Sequence, residues 1–270
     1  MGKNAFLKSK SFKTGLFITG IFIIISLLSL VWTPYNSTEM NYAIKNQAPC
    51  LAHIFGTDNY GRDIFSRVME GVGTTMFIAA CTVLIGAVSG TVLGLFSGYI
   101  GGIFDETVMR ICDMVLSFPN ILLALIFVGV FGTGKTNVIL ALGIIFIPSF
   151  ARMARGETIK IREYGYVESA VTMGASKTYI LFKHILPNIS ESILTSAAIG
   201  FNNAVLAEAG MSYLGLGVQP PEASLGRMLS EAQSYLFIAP WYAIFPGIVI
   251  ILMILGFSLI SNGISGMDKE

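Results

Sequence analysis

Residues 166–187 read YVESAVTMGASKTYILFKHILP, and the fold of the whole chain turns on how this stretch is understood. It is one of two clearly charged segments in a chain that is 54% hydrophobic and only 12% charged. Long apolar runs lie on either side of it. Gly174 can take the left-handed geometry that ends a helix, Ser176 can cap the next helix, and Pro187 with Asn188 ends that one before the following apolar run. The expectation is therefore a short helix, a break at Gly174 and a second helix stopping at Pro187. Ala170, Val171, Ala175, Ile180, Leu181 and Phe182 give this hairpin apolar faces of its own, which a loop without a partner does not need.

Working outward, the composition names the surroundings. Soluble domains carry about 25% charged residues, so a charged fraction of 12% and a mean hydropathy of +0.72 point to an integral membrane protein. The three cysteines, Cys50, Cys81 and Cys112, lack metal-ligand spacing, and His53 and His184 sit in different segments. Neither a disulfide framework nor a metal centre is expected. A contact from His53 to a metal cargo is the weaker reading of a lone loop histidine.

A spanning helix needs about 20 apolar residues. After a basic tail, 1–13, the run 14–33 supplies the first. It is too long for the apolar region of a cleaved signal peptide and ends in Trp32-Thr33-Pro34-Tyr35, which suits a membrane interface. A polar extracytoplasmic segment, 34–75, follows. A permease core over 76–265 then holds five more spans, near 76–97, 115–131, 138–150, 192–207 and 243–264, with the hairpin at 156–188 and a tail at 266–270. Pro119 is expected in the first turn or two of the third span, where proline costs little. The fold class expected is all-α integral membrane, with about six transmembrane helices.

Six spans put both termini on one side of the membrane. With an inside N-terminus, the inner segments hold Lys3, Lys8, Lys10, Lys13, Arg110, Arg152, Arg155, Lys160, Arg162, Lys177, Lys183 and Lys269, and the outer segments only Lys45, Arg62, Arg67, Lys135 and Arg227. This bias places the termini and the hairpin in the cytoplasm.

Three further features carry chemistry or packing. Gly86, Gly90, Gly94 and Gly98 recur every fourth residue and fall on one helix face, where small residues let another helix approach closely. Residues 129–136, GVFGTGKT, match the phosphate-loop pattern GxxxxGK[ST], but that mechanism needs a strand before the loop. Here an apolar helix precedes it, so it reads as a tight turn between spans. Asn202, Asn203 and Glu208 are polar groups at membrane depth. They either line a substrate route or hydrogen-bond between helices, and Glu208 has the further option of reaching the outer interface.

Several motifs together carry a family resemblance. Glu168-Ser169-Ala170, then Gly174, then Leu186-Pro187 resemble the E-A-A, G, I-x-L-P signature of permeases in binding-protein-dependent ABC importers. Ser169 replaces the middle alanine, and His184 stands where the isoleucine belongs. Residues 56–67 (GTDNYGRDIFSR), 109–119 (MRICDMVLSFP) and 206–229 (LAEAGMSYLGLGVQPPEASLGRML) resemble the dipeptide, oligopeptide and nickel branch of these permeases. The resemblance covers roughly 53–265 and implies a type I ABC importer-like fold in a bacterial plasma (inner) membrane. It also implies that Glu168, Ser169, Ala170, Gly174, Ala175, Leu186 and Pro187 couple the chain to cytoplasmic ATPase subunits. The implied partners are two such ATPases, a second homologous permease, an extracytoplasmic substrate-binding protein and membrane lipid, with no nucleic acid. ATP and Mg would bind the ATPase subunits, no cofactor would bind this chain, and it would catalyse nothing. Short peptides are the implied cargo, with nickel or a metal chelate as the alternative. A stand-alone secondary transporter would show inverted repeats and intramembrane ionisable relays. An intramembrane enzyme would show paired acids or a histidine cluster within its spans. The sequence displays neither pattern.

Overall fold

The structure is a computed structural model that describes residues 9–265. The basic positions Lys3 and Lys8 and the tail at 266–270 lie outside the described residues. Among the described residues the chain is helical throughout, without a named strand. Four helices are long and apolar enough to cross a membrane: α1 (Lys10–Ser29), α2 (Ile64–Ile100), α5 (Lys135–Arg162) and α10 (Trp241–Ser265). A bent pair, α3 (Gly102–Leu116) and α4 (Asn120–Phe131), makes a fifth if taken as one broken span. The remaining elements are α6 (Gly165–Thr172), α7 (Lys177–Tyr179), which widens into a π turn (Ile180–Ile185), α8 (Ser190–Tyr213) and α9 (Leu225–Ala232).

The boundaries differ from the sequence expectation in ways with local causes. α2 starts at Ile64, not near 76, because Asp63 caps it. Asp63 Oδ2 accepts from the Ser66 N–H at 2.7 Å and from the Ser66 hydroxyl at 2.7 Å. The third span is not one straight helix. Pro119 has no N–H to donate and keeps Phe118 out of the α region, so the chain turns by 86° between α3 and α4. α4 alone has 12 residues, about 18 Å, against a hydrocarbon core of about 30 Å. α5 does not stop at Arg152 and Arg155 but continues to Arg162. α8 runs past Ala207 to Tyr213. It is long enough to span but not apolar enough to qualify by composition, since it carries Glu191, Asn202, Asn203 and Glu208. Of these, Glu208 is fully enclosed and Asn202 half-buried, while Glu191 and Asn203 are exposed.

The scaffold is the α2–α5 pair. A Cβ on Gly90 would lie 2.5 Å from the Ile147 carbonyl oxygen, and one on Gly94 would lie 2.3 Å from that of Ala151. A Cβ on Gly86 would lie 2.8 Å from Phe146, and one on Gly98 2.8 Å from Arg155 and 3.0 Å from Thr158. All four glycines therefore face α5, and dispersion between touching backbones stands in for the hydrophobic drive that lipid does not supply. The same device joins α1 to α10, where Gly15 meets Gly256 and Gly263 meets Phe12. One apolar core joins α1, α2, α4, α5, α8, α9 and α10, and a second, smaller one lies beneath the hairpin.

Candidate functional site: a seated hairpin and a polar cleft

The hairpin is built by local rules. α6 ends in a Schellman arrangement. The Ala175 N–H donates to the Ala170 carbonyl at 3.1 Å and the Gly174 N–H to the Val171 carbonyl at 2.9 Å. Gly174 sits at φ +80°, a region in which only glycine is unstrained. Ser176 then caps α7, its Oγ accepting from the Tyr179 N–H at 3.3 Å. Pro187 cannot donate to the helix and its ring crowds the carbonyl four residues back. Just before it the helix widens, with the Leu186 N–H reaching the Leu181 carbonyl at 2.8 Å, a π-type bond.

The hairpin has two apolar faces with different destinations. Val167, Ala170, Ile180, Leu181, Ile185 and Ile189 are buried, against Leu95 of α2 and Ala154 and Ile161 of α5. Burying each of the larger side chains is worth about 1.5–3 kcal/mol. Ala170, Ile180 and Leu181 are therefore spent on seating the hairpin within the chain rather than on an outside partner. Ala175 and Leu186 are half-buried at the same seat. Tyr166, Val171, Met173, Tyr179 and Phe182 face outward, Met173 with 80% of its surface exposed. Glu168, Ser169, Gly174 and Pro187 are exposed as well.

The seat has a polar collar that sequence reasoning missed. Arg155 of α5 holds Asp105 of α3 in a two-pronged pair at 2.5 and 2.6 Å. The Ser97 hydroxyl of α2 donates to Asp105 at 2.5 Å, and Arg162 caps the open carbonyls of Gly98 and Tyr99. Arg152 pairs with Asp113 one turn away. These cations at the end of α5 read only as topology markers in the sequence. In the fold they bind the ends of three helices together.

On the flank of the bundle, α4, α5 and α8 enclose an open cleft of about 180 Å³ lined by Asn120, Phe146, Ser149, Phe150, Ser196, Ile199, Gly200 and Asn203. Its polar groups are two carboxamides and two hydroxyls, with no charge. Asn203 lines this cleft. Asn202, about 100° further round the helix, does not, and its Oδ1 is buried without a hydrogen-bond partner among the described residues. Glu208 is not at an interface. It is fully buried, and it accepts from the Thr75 hydroxyl of α2 at 2.9 Å and the Ser212 hydroxyl at 2.7 Å. The geometry favours the helix-to-helix bonding role for it over the pathway role.

At the end of the bundle opposite the hairpin, the segment 41–63 folds back on itself through a bridge between Thr57 and Asp63. His53 Nδ1 lies 2.9 Å from Asp63 Oδ1, so the lone histidine buttresses the α2 cap. Five buried or half-buried charges meet here, those of Asp58, Arg62, Arg67, Arg227 and Glu231. Arg62 bonds Asp58 at 2.5 Å and Glu231 of α9 at 2.8 Å. Arg67 approaches Glu231 at 3.4 Å, and the Tyr242 hydroxyl donates to Glu231 at 2.7 Å. Arg227 adds a bond at 3.2 Å. Burial alone would lower the Arg62 pKa, but Asp58 and Glu231 hold it above its ordinary value. Burial would raise Glu231, yet Arg67, the Tyr242 hydroxyl, Arg62 and Arg227 together hold it below the usual carboxylate range. Residues 129–136 cover the end of α4, the turn 132–134 and the start of α5. Gly132 and Gly134 take positive φ there, and Lys135 pairs with Glu222 at 3.2 Å.

Comparison with known proteins supplies the family. The chain is 41% identical over 250 residues to the glutathione transport system permease protein GsiD of Pectobacterium atrosepticum, covering 91% of this chain and 83% of that one. It is 37% identical over 257 residues to the dipeptide transport system permease protein DppC of Alkalihalophilus pseudofirmus, covering 95% and 84%. In fold it is similar to a chain of the MetNI methionine ABC transporter in an inward-facing conformation, with a TM-score of 0.58 at 21% identity, covering 73% of this chain and 96% of that one. Residues 90–267 match the family described as binding-protein-dependent transport system inner membrane component, and with the relatives above they establish that the chain belongs to that family of membrane permeases.

Proposed function

We propose that this chain forms half of the membrane pathway of an ATP-driven importer of short peptides, and that its hairpin receives the motion of a cytoplasmic ATPase subunit. The observation that carries the reading is the division of the hairpin into a locked inner face and an open outer face. The inner face shares its seat with α2 and α5, and the chain leaves the hairpin directly into α8 at Ser190. A push on the outer face therefore displaces α5 and α8, the two longer walls of the cleft, as a rigid-body switch requires. Tyr166, Val171, Met173, Tyr179 and Phe182 supply apolar contact, and Glu168 offers a carboxylate at the rim. Ser169 and His184 depart from the family pattern without filling the knob or closing its seat.

The cleft is open on one side, which suits completion by a second, similar permease. Its uncharged lining fits peptide-backbone amides and leaves the cargo's side chains free to vary. The relatives named above belong to glutathione and dipeptide transport systems, which supports short peptides as the cargo class. Nickel, the alternative, gains no observation of its own. The remaining partners are a pair of ATPase subunits binding ATP and Mg, and an extracytoplasmic binding protein. The Lys and Arg bias orients the hairpin and both termini toward the cytoplasm.

The test is reconstitution in liposomes with the partner permease, the ATPases and the binding protein. Labelled di- and tripeptides are expected to accumulate only with ATP inside the ATPase compartment. Uptake by this chain alone, driven by an ion gradient without ATP, would overturn the reading. In the assembled complex, Gly174→Asp is expected to abolish substrate-stimulated ATP hydrolysis.

A further inference from the structure

α8 leaves the hairpin at Ser190 and, some 24 residues or about 36 Å later, enters the segment 214–224, LGLGVQPPEAS. The tip of this segment, Pro220 to Glu222, is exposed, while its flanks at 217–218 and 223–226 are buried. Buried backbone N–H groups outside regular structure need acceptors, and two hydroxyls provide them. Ser212 Oγ accepts from the Val218 N–H at 3.1 Å. Thr75 Oγ1 accepts from the Leu225 N–H at 3.4 Å. Each hydroxyl in turn donates to a different oxygen of one carboxylate, Ser212 to Glu208 Oε1 at 2.7 Å and Thr75 to Glu208 Oε2 at 2.9 Å.

Glu208 thus sets the direction of both hydroxyl protons and leaves a lone pair on each oxygen for the loop. A hydroxyl has one proton to give. Without the carboxylate, each proton loses the acceptor that holds it away from the incoming N–H, and a helix carbonyl four residues back is the alternative it can turn to. Thr75, Glu208 and Ser212 are all fully buried. The loop backbone lies so close that a Cβ on Gly217 would be 2.1 Å from Ser212 Oγ, and one on Gly226 2.4 Å from the Ala209 carbonyl oxygen. The tip crosses to α5, where Glu222 meets Lys135.

We propose that Glu208 is a positioning residue for transport. It clamps both flanks of the 214–225 segment to α8 and α2, so the segment travels with α8 when the hairpin moves and reshapes the opposite end of the pathway. The mechanical part of this proposal rests on the coupling role given to the hairpin above.

The experiment uses the full reconstituted importer and reads two quantities, amide hydrogen exchange across 214–225 and peptide transported per ATP hydrolysed. Glu208→Ala is expected to raise exchange at Val218 and Leu225 together by about tenfold or more and to lower the transport-to-ATP ratio by a similar factor. Ser212→Ala is expected to release only the Val218 flank and Thr75→Val only the Leu225 flank, which keeps the test available if Glu208→Ala does not assemble. Glu208→Gln keeps one acceptor oxygen and is expected to protect one flank and recover part of the ratio. Unchanged exchange in Glu208→Ala, or in both single-flank variants, overturns the clamp. Raised exchange with an unchanged ratio overturns the transport role. If Gly174→Asp also leaves ATP hydrolysis coupled, the hairpin reading fails. If Gly174→Asp uncouples while the Glu208 and flank variants do not, the clamp alone fails.

Discussion

The two ends of the bundle handle charge in opposite ways. At the hairpin end, the charges form an outer collar while large apolar side chains, Met173 and Tyr179 among them, are left in the open. At the other end, Asp58, Arg62, Arg67 and Glu231 are drawn inside and paired with one another. A buried ion group adds little net stability compared with apolar packing, but removing one partner strands the rest. It therefore acts as a fixed register for the segment 41–63 against α9 and α10. On the knob, Tyr166 and Tyr179 lie against His184 and Phe182 against Phe96, while Val171 and Met173 stay in the open. Both ends leave large apolar side chains open, Leu51 and Phe237 at the end that holds 41–63, but only that end draws its charges inside.

This contrast can be broken in four ways. The largest effect is expected from Glu231→Ala, which takes the shared acceptor from Arg62, Arg67, Arg227 and Tyr242. A loss of about 3–5 kcal/mol is expected, read as a fall in the thermal midpoint in detergent and as new proteolysis within 41–63. Lowering the pH should act in the same sense and more weakly. Glu231 is held below its ordinary value, so its contribution is complete above the unfolded glutamate pKa of about 4.3 and is lost as pH falls through the lowered folded value. A melting series in pH should be flat above about pH 5 with respect to this group. A decline that begins near neutrality would assign the sensitivity elsewhere. Gly174→Ala adds a Cβ that meets nothing within 4 Å, so the cost is only that of a left-handed alanine, about 1–2 kcal/mol. It should appear as fraying of α6 in hydrogen exchange. Met173→Ser is expected to change stability by no more than about 0.5 kcal/mol while weakening assembly with the ATPase subunits, as read by co-purification. If Met173→Ser destabilises the isolated chain instead, the knob is not the open surface described here.

The fold was legible where its rule is local. Gly174 and Ser176 act within five residues, and their break reads directly from the order of residues. The spacing from Gly86 to Gly98 fixes one helix face whatever lies opposite. The bend at Pro119 was misjudged because a proline in a first turn and a proline before a new helix look alike in one dimension. The apolar residues of the hairpin imply a partner, but their order does not say that Ala170, Ile180 and Leu181 find theirs in α2 and α5 of the same chain. Sequence shows that a face exists but not which way it turns.

The sequence by itself determined that the chain lives in a membrane, roughly where its apolar runs fall, and that 166–187 is a broken helical hairpin. These depend on composition and on neighbours a few residues apart. Only the tertiary structure decided that the four glycines meet α5, that Arg62 finds Glu231 across 169 positions of sequence, and that Thr75 reaches Glu208 across 133. Contacts at that separation arise when packed helices bring distant residues together, and no local preference encodes them.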